Sequence, residues 1–570
     1  MASWRLRLLL AFFLIFSTVI ILRLFYWQIL CRDSLLIQAE SLHTAVNQIE
    51  APRGKIFAFD GLPLATSKEA YLVYASLPDI QEGVGTIASE LTSLLLSENS
   101  QEEKLEFEEQ LKEKLSREDL SWVALARKVD RQVKEKIEAL TIEGIGFEPV
   151  EKRVYPEGSM SAHLLGFVGQ DSSGREKGYF GVEGYYNREL SGRPGTLKLE
   201  KDVLGRPILI GERVEDPPIA GRDLVLYLDR GVQYLVEEKL KKGLERYGAK
   251  SGSVVILDPQ SGGVLALASF PDFSSKDYAK TDSRLFSNPV ISESFEPGSI
   301  FKIVIMSAAL NDKVVKPEDK CPRCSGPRKI DKYEIETWDG NYYPDSTMTE
   351  IIQHSDNVGM VYVSEELGIE RLNNYLVNFG FGSETGIDLE GEGAPPLRAE
   401  KEWNVVDLAV AGFGQGIAVT PIQIARAAAA IANGGFLIEP HVVAKIISED
   451  REIEIKPKVI RQVIEPATAK TMTEMMVNAV EKGEAQWAKP QGYRVAGKTG
   501  TAQIPIAGHY DEEKTIASFV GFAPADKPRF VMLVTLREPS SSPWGAETAA
   551  PLWFEIAKEL FIYYGIMPDY

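Results

Sequence analysis

The stretch FEPGSIFKIVIMSAAL, residues 295–310, sets a serine and a lysine at the head of an otherwise apolar segment. Pro297 and Gly298 punctuate the chain, and the run from Ile300 to Leu310 reads as a helix buried on most sides. Ser299 is then a first-turn residue, and Lys302, three positions on, shares its helix face. An amine pressed into an apolar wall resists protonation. The pair therefore reads as a serine nucleophile with a desolvated lysine as its base. A lysine that snorkels to water would give the same letters, and S-x-x-K arises about once or twice by chance in a chain of this length. Partners elsewhere in the sequence decide between the two.

Two such partners follow. In IIQHSDNVGMVYV, residues 351–363, Ser355, Asp356 and Asn357 stand among apolar neighbours, awkward for a helix interior and apt for a turn into a cleft. In RVAGKTGTAQIP, residues 494–505, Gly497 and Gly500 flank Lys498 and Thr499 on an expected strand. Glycines weaken a strand, but a missing Cβ lets a ligand backbone lie alongside it. S-x-x-K, S-D-N and K-T-G in this order, each on a suitable element, form a specific combination.

The rest of the chain supplies a scaffold. Its 570 residues exceed what one core usually fills. A formal net charge of −19 argues against nucleic acid as a partner. With only Cys31, Cys321 and Cys324, no disulfide framework holds a domain together. Arg5 and Arg7 precede an apolar segment that runs, interrupted by Arg23, from Leu8 to Leu30, long enough to span a bilayer. No small-residue cleavage site follows it, so the expectation is an uncleaved anchor with the N-terminus in the cytoplasm and the remainder outside.

Between residues 33 and 235 short strand-like runs alternate with turns. They are interrupted from Ser97 to about Lys136 by a charged stretch expected to form solvated surface helices. VQYLVEEKLKKGL, from Val232, is an amphipathic helix, and the runs flanking Asp258–Gly262 form a hairpin, as do TIASFVGFAP and RFVMLVTLRE around 525–528. In TPIQIARAAAAIANGG, Thr420 suits an N-cap, Pro421 the first turn and Gly434 the stop. The fold class is therefore α+β, an antiparallel sheet with a helical block inserted in the chain and packed against it.

The motif triple is the signature of class A β-lactamases and penicillin-binding proteins. Further segments, APRGKIFAFDGLPLA from Ala51, RVYPEGSMSAHLLGFVG from Arg153, GVEGYYNRELSGRPG from Gly181 and GFGQGIAVTPIQ from Gly412, resemble those of class B penicillin-binding proteins over almost the whole chain. In one departure, Phe59 and Asp60 stand where that family commonly has an Arg-Asn pair. The resemblance implies a cytoplasmic tip and single-pass anchor (1–32), an elongated non-catalytic pedestal of the dimerisation type (33–235) and a D,D-transpeptidase domain (236–566). It further implies that Ser299 attacks the D-Ala-D-Ala bond of a peptidoglycan stem peptide, with Lys302 as base and Ser355 returning the proton to the leaving amine. Asn357 would orient Lys302 and hold the substrate amide; Lys498, Thr499 and Thr501 would hold the terminal carboxylate, with Asp356 and Gly500 also at the substrate. The backbone N–H groups of Ser299 and Thr501 would form the oxyanion hole. β-Lactams would acylate Ser299.

The family implies no cofactor and no metal. It implies a multi-spanning peptidoglycan glycosyltransferase as partner, with division or elongation proteins. The end of the chain soon after the helix near Tyr563, and the wording around HSDNVG, lean towards septal members. A β-lactamase would need a deacylating glutamate, and Glu370, three before Asn373, reads as surface. A catalytically idle scaffold would be expected to lose Ser299, Lys302 or Lys498, all present here. Cys321 and Cys324 have the spacing of half a zinc site, of a disulfide or of a plain surface loop.

Overall fold

The computed structural model describes residues 3–35, 44–81, 83–97, 99–117, 119–200, 213–506 and 509–569. The chain divides into two compact units, Met1–Arg53 with Ser191–Gly221, and Gly54–Leu190 with Arg222–Tyr570.

The first unit contains helix α1 (Ser3–Phe25), which the turn Tyr26–Leu30 prolongs. Together they make one 28-residue apolar helix, Ser3–Leu30, with a mean hydropathy of 2.6 and no buried surface. At 1.5 Å per residue this is about 40 Å, enough to cross a hydrocarbon core of about 30 Å. The Arg23 guanidinium lies over the Trp27 ring, 5.6 Å from its centroid. A three-stranded antiparallel sheet of Thr44–Ile49, Gly195–Glu200 and Arg213–Asp216 completes the unit.

The second unit begins with a sheet in which β1 (Pro63–Ser76) is flanked by β2 (Trp122–Val129) and β3 (Ile145–Val154), both antiparallel to it. The charged stretch from Ser97 departs from expectation here. Helix Gln101–Leu115 forms, with Ser100 and Glu103 closing a capping box, but it buries Leu111 and Leu115 against Ile87, Leu91 and Val73. The stretch then holds β2, whose Leu125 and Val129 enter the same core. The surrounding charges hid a strand whose buried side chains, Leu125 and Val129, stand four residues apart. The sheet also takes in Ile56–Phe57 and Asp223–Leu226, and the latter pairs antiparallel with Val443–Ser448. A buried ion pair lies in this part, Arg153 Nε donating to Glu183 Oε1 at 2.7 Å and its Nη1 to the Gly54 carbonyl at 2.7 Å.

The second sheet frames the site. After helix α2 (Arg230–Tyr247) come β4 (Ser251–Leu257) and β5 (Val264–Phe270), the first expected hairpin. A helical block follows: α3 (Lys302–Asn311), α4 (Asn357–Leu367), α5 (Pro421–Ala432) and α6 (Pro466–Lys482). Strands β6 (Ala496–Ile506), β7 (His509–Ala523) and β8 (Phe530–Arg537) and helix α7 (Ala549–Tyr563) close the unit. The strand order is β5-β4-β8-β7-β6, antiparallel throughout.

The period of two in β4 divides its side chains between two cores. Val254 and Ile256 meet Val236 and Leu240 of α2 and Trp553 and Phe554 of α7. Val255 and Leu257 join the helical block on the opposite face. Each such fully buried side chain contributes about 1.5–3 kcal/mol. Helix α3 is apolar on every side, and Lys302 through Leu310 are all buried, which makes it the centre of that block. Helix α5 follows expectation: Gln423 Oε1 accepts the Thr420 N–H at 3.0 Å, Pro421 opens the helix, and Gly434, at φ +89, lies just beyond its end.

Candidate active site

Ser299 sits in a short 3-10 turn, Gly298–Phe301, that runs directly into α3. The turn is held from two sides. Gly298 (φ +56) donates its N–H to the Gly414 carbonyl at 3.0 Å, and a Cβ on Gly298 would come within 2.8 Å of the Thr501 carbonyl on β6. The other glycine expectation changes. A Cβ on Gly500 would lie 2.5 Å from Ser518 Oγ and 2.8 Å from Ile300 Cγ2, and one on Gly497 2.4 Å from the Phe519 ring. The space these glycines leave is filled by the protein itself. It lets the serine-bearing turn press against β6, so clearance for a ligand backbone is not what requires them.

Lys302 is completely buried at the start of α3. Its Nζ donates to the Ser355 carbonyl at 2.6 Å and to Asn357 Oδ1 at 2.8 Å, with Ser355 Oγ at 3.3 Å. Among the described residues no hydrogen bond joins it to Ser299. Ser355 occupies a left-handed conformation (φ +55) between helix Met348–Gln353 and α4. That kink turns both its carbonyl and its hydroxyl towards Lys302. From β6, Lys498 Nζ donates to the same Ser355 Oγ at 2.8 Å and to Thr499 Oγ1 and the Thr499 carbonyl at 3.0 Å each. The three motifs thus converge on one hydroxyl.

Burial holds the Lys302 ammonium well below the usual lysine range, and the neighbouring charge of Lys498 pushes it further down. Lys498 is also lowered by burial, with Glu484 acting in the opposite direction. Asp356 was expected at the substrate. It is instead buried to 1 % exposure and caps α4, its Oδ1 accepting the Gly359 N–H at 3.1 Å. Burial raises its carboxyl above the ordinary range.

Ser299, Ser355, Asn357, Thr499, Gly500 and Thr501 open onto one cavity of about 790 Å³. Its walls carry Tyr333, Trp338, Phe413, Trp487 and Trp544, and the rings of Trp338 and Trp544 meet edge to face at 5.1 Å. Thr501 Oγ1 accepts the Gly545 N–H at 3.0 Å. Sequence reasoning missed Glu484, which lines the cavity and whose Oε2 accepts from Thr499 Oγ1 at 2.8 Å. No pattern marks it; its only signal is the glycine before it, since a Cβ on Gly483 would meet the Ala479 and Gln353 carbonyls at 2.2 and 2.7 Å. Glu370 is exposed, as expected. Cys321 and Cys324 form a disulfide and are both buried, which removes the half-zinc-site and surface-loop alternatives.

This is the architecture of the penicillin-recognising acyltransferases, and comparison with known proteins agrees. Residues 252–561 match the penicillin-binding protein transpeptidase domain and residues 48–226 the penicillin-binding protein dimerisation domain. The chain is 33% identical over 568 residues to stage V sporulation protein D of Bacillus subtilis, covering 98% of this chain and 86% of the relative. It is 29% identical to the peptidoglycan D,D-transpeptidase FtsI of Escherichia coli, covering 100% and 93%. Among solved structures, penicillin-binding protein 3 of Mycobacterium tuberculosis complexed with aztreonam superposes with a TM-score of 0.70 at 26% identity, over 92% of this chain and 98% of that one. The chain belongs to the class B penicillin-binding proteins.

Proposed function

We propose that the protein is a peptidoglycan D,D-transpeptidase whose nucleophile is Ser299. The observation that carries this reading is the meeting of Lys302 Nζ and Lys498 Nζ at Ser355 Oγ, beside Ser299 in a single cavity. A neutral Lys302 amine has two N–H donors. The Ser355 carbonyl and Asn357 Oδ1 use both, which leaves its lone pair to receive a proton. Ser299 Oγ attacks the carbonyl between the two terminal D-alanines while its proton passes to Lys302. The C–N bond breaks, Ser355 passes a proton to the departing amine, and D-alanine leaves with Ser299 esterified. The amine of a second stem peptide then attacks the ester, which forms the cross-link and restores the serine hydroxyl.

The positive end of Lys498, with Thr499 and Thr501, suits the terminal carboxylate of the donor peptide. The backbone N–H groups of Ser299 and Thr501 suit the developing oxyanion, each donor contributing about 3 kcal/mol. Gly500 acts through the approach of β6 to the Ser299 turn. A penicillin carries a strained amide and a carboxylate in the same relation, so it acylates Ser299 through the same groups; one solved relative is described as complexed with ampicillin. The chain is organised as anchor (1–32), non-catalytic pedestal (33–235) and transpeptidase (236–566). The basic flank of the apolar helix supports a cytoplasmic N-terminus and a catalytic unit outside the cytoplasmic membrane. A glycan-polymerising partner in the same membrane follows from the chemistry, since cross-linking requires nascent strands. The similarity to FtsI favours a division-type role.

Labelling of the purified ectodomain with fluorescent penicillin, followed by intact-mass analysis, tests the reading. A stoichiometric, long-lived adduct on Ser299 that disappears in Ser299→Ala supports it. Absence of an adduct at any dose removes the nucleophile, and rapid drug turnover without accumulation makes the protein a hydrolase.

A further inference from the structure

We infer that Glu484 is a positioning residue that decides which of the two buried lysines carries the positive charge, keeping Lys498 as the cation and leaving Lys302 free to act as base. The inference rests on the reading of Lys302 and Lys498 given above.

The geometry is a linear chain of contacts. Glu484 Oε2 accepts from Thr499 Oγ1 at 2.8 Å, Thr499 Oγ1 accepts from Lys498 Nζ at 3.0 Å, and Lys498 Nζ reaches Ser355 Oγ at 2.8 Å. Beyond Ser355 stands Lys302. Two ammonium groups bound to one hydroxyl in a buried setting repel, so one of them gives up its proton. Their direct neighbours are alike in kind, all of them neutral oxygens: those of Ser355 and Asn357 around Lys302, and those of Ser355 and Thr499 around Lys498. The symmetry is broken by the carboxylates. Asp356 acts on Lys302, but it caps α4 and burial opposes its ionisation; Glu484 acts on both amines, and only to Lys498 is it joined by a chain of hydrogen bonds through a single hydroxyl. Glu484 is half-buried at the cavity wall and is linked through one hydroxyl to Lys498, no more than about 6 Å away, a range over which an opposite charge favours the ionised amine by about 1–3 pH units.

The other charged or titratable groups facing this cluster are His354, Tyr342 and Tyr343 beside Asp356, and Tyr333, Glu334, Glu336 and Glu547 on the cavity wall. Among the described residues none of these is hydrogen-bonded to either amine. The position of Glu484 is itself built. It follows the last turn of α6 immediately after Gly483, which is wedged against the carbonyls of Ala479 and Gln353. Asn478 of α6 in turn donates to Gln353 Oε1 at 2.8 Å. The carboxylate is thus delivered to the K-T-G strand by the helix that packs on it.

The consequence is a defined pH dependence of Ser299 acylation. The acid limb reports Lys302 gaining a proton, and the alkaline limb reports Lys498 losing one. Glu484→Gln keeps the shape and a hydrogen-bond acceptor for Thr499 and removes the charge. The experiment measures the second-order rate of benzylpenicillin acylation from pH 5 to 10 for wild type, Glu484→Gln and the charge-retaining Glu484→Asp, with thermal midpoints recorded alongside. The expected result is an alkaline limb displaced downward by at least about one pH unit in Glu484→Gln and unmoved in Glu484→Asp. Superposable limbs in wild type and Glu484→Gln, or a loss of the same factor at every pH, would overturn the inference. If Glu484→Gln does not fold, the Glu484→Asp profile decides: displacement of its alkaline limb despite the retained charge refutes charge selection. Failure of wild type to acylate would instead overturn the transpeptidase reading, so the two failures are distinguishable.

Discussion

At the scale of single residues, the proposed site depends on a lysine whose burial disfavours its charged form. Because burial depresses Lys302, its neutral form dominates above its folded pKa, and acylation falls tenfold for each pH unit below it. Lys302→Met, nearly isosteric, removes the base and should slow penicillin acylation by about 10²–10⁴-fold, read by mass spectrometry of Ser299. The same depression acts on stability. Between the folded value and the unfolded value of about 10.4 the unfolded chain holds the extra proton, so stability rises with pH across this window and is lost as pH falls. Lys302→Met should therefore flatten the slope of urea-measured stability below the unfolded lysine value of about 10.4, leaving the contribution of Lys498. Ser299, Lys302, Ser355 and Lys498 were legible in the sequence because acyl transfer requires those groups at fixed spacings. Asp356 and Glu484 were not: a carboxyl inside S-D-N reads equally as ligand or helix cap, and Glu484 acquires meaning only when a strand 15 residues later folds back beside it.

At the scale of elements, precision comes from close backbone approaches. The Ser299 turn touches β6 at Gly500, where Ile300 Cγ2 and Ser518 Oγ occupy the place of a side chain. Gly500→Ala should displace that turn and cost acylation at least about 10²-fold, since misplacement by about 1 Å has that effect. A thermal midpoint lowered by several degrees is expected with it, and an unchanged acylation rate would show that the turn is not held in this way. The hairpins around 258–262 and 525–528 were readable because apolar strands with turn residues between them have few other solutions. Strand β2 was not, because Arg127 and Lys128 lie within it and helical charge patterns surround it. Its identity is set by pairing with β1, a tertiary effect that local pattern does not carry.

At the scale of the whole molecule, the segments quoted for the family resemblance include buried polar hardware. Arg153 and Glu183, with side chains 3% and 0% exposed, form one ion pair tied also to the Gly54 carbonyl. Arg153→Met removes a buried ionic partner of Glu183 and the hydrogen bond to the Gly54 carbonyl, and should cost about 3–5 kcal/mol in chemical denaturation. Deleting residues 1–32 should move the protein from the membrane fraction to the aqueous one while the penicillin adduct on Ser299 persists. Loss of the adduct with the anchor would mean that the helix does more than tether. The central strand of the catalytic sheet has a further consequence in time. Strand β4 pairs Ser253 with Thr535 on β8, and α3, with the Ser299 turn that leads into it, lies on a face of the sheet that this pairing completes. Loop closure on that scale is slow and comes late in synthesis. A nascent chain halted before Phe530 holds Ser299, Lys302, Ser355 and Lys498 but lacks β8, the strand that joins the β4–β5 pair to the β6–β7 pair. Reactivity therefore waits until the chain has been made past Arg537, the end of β8.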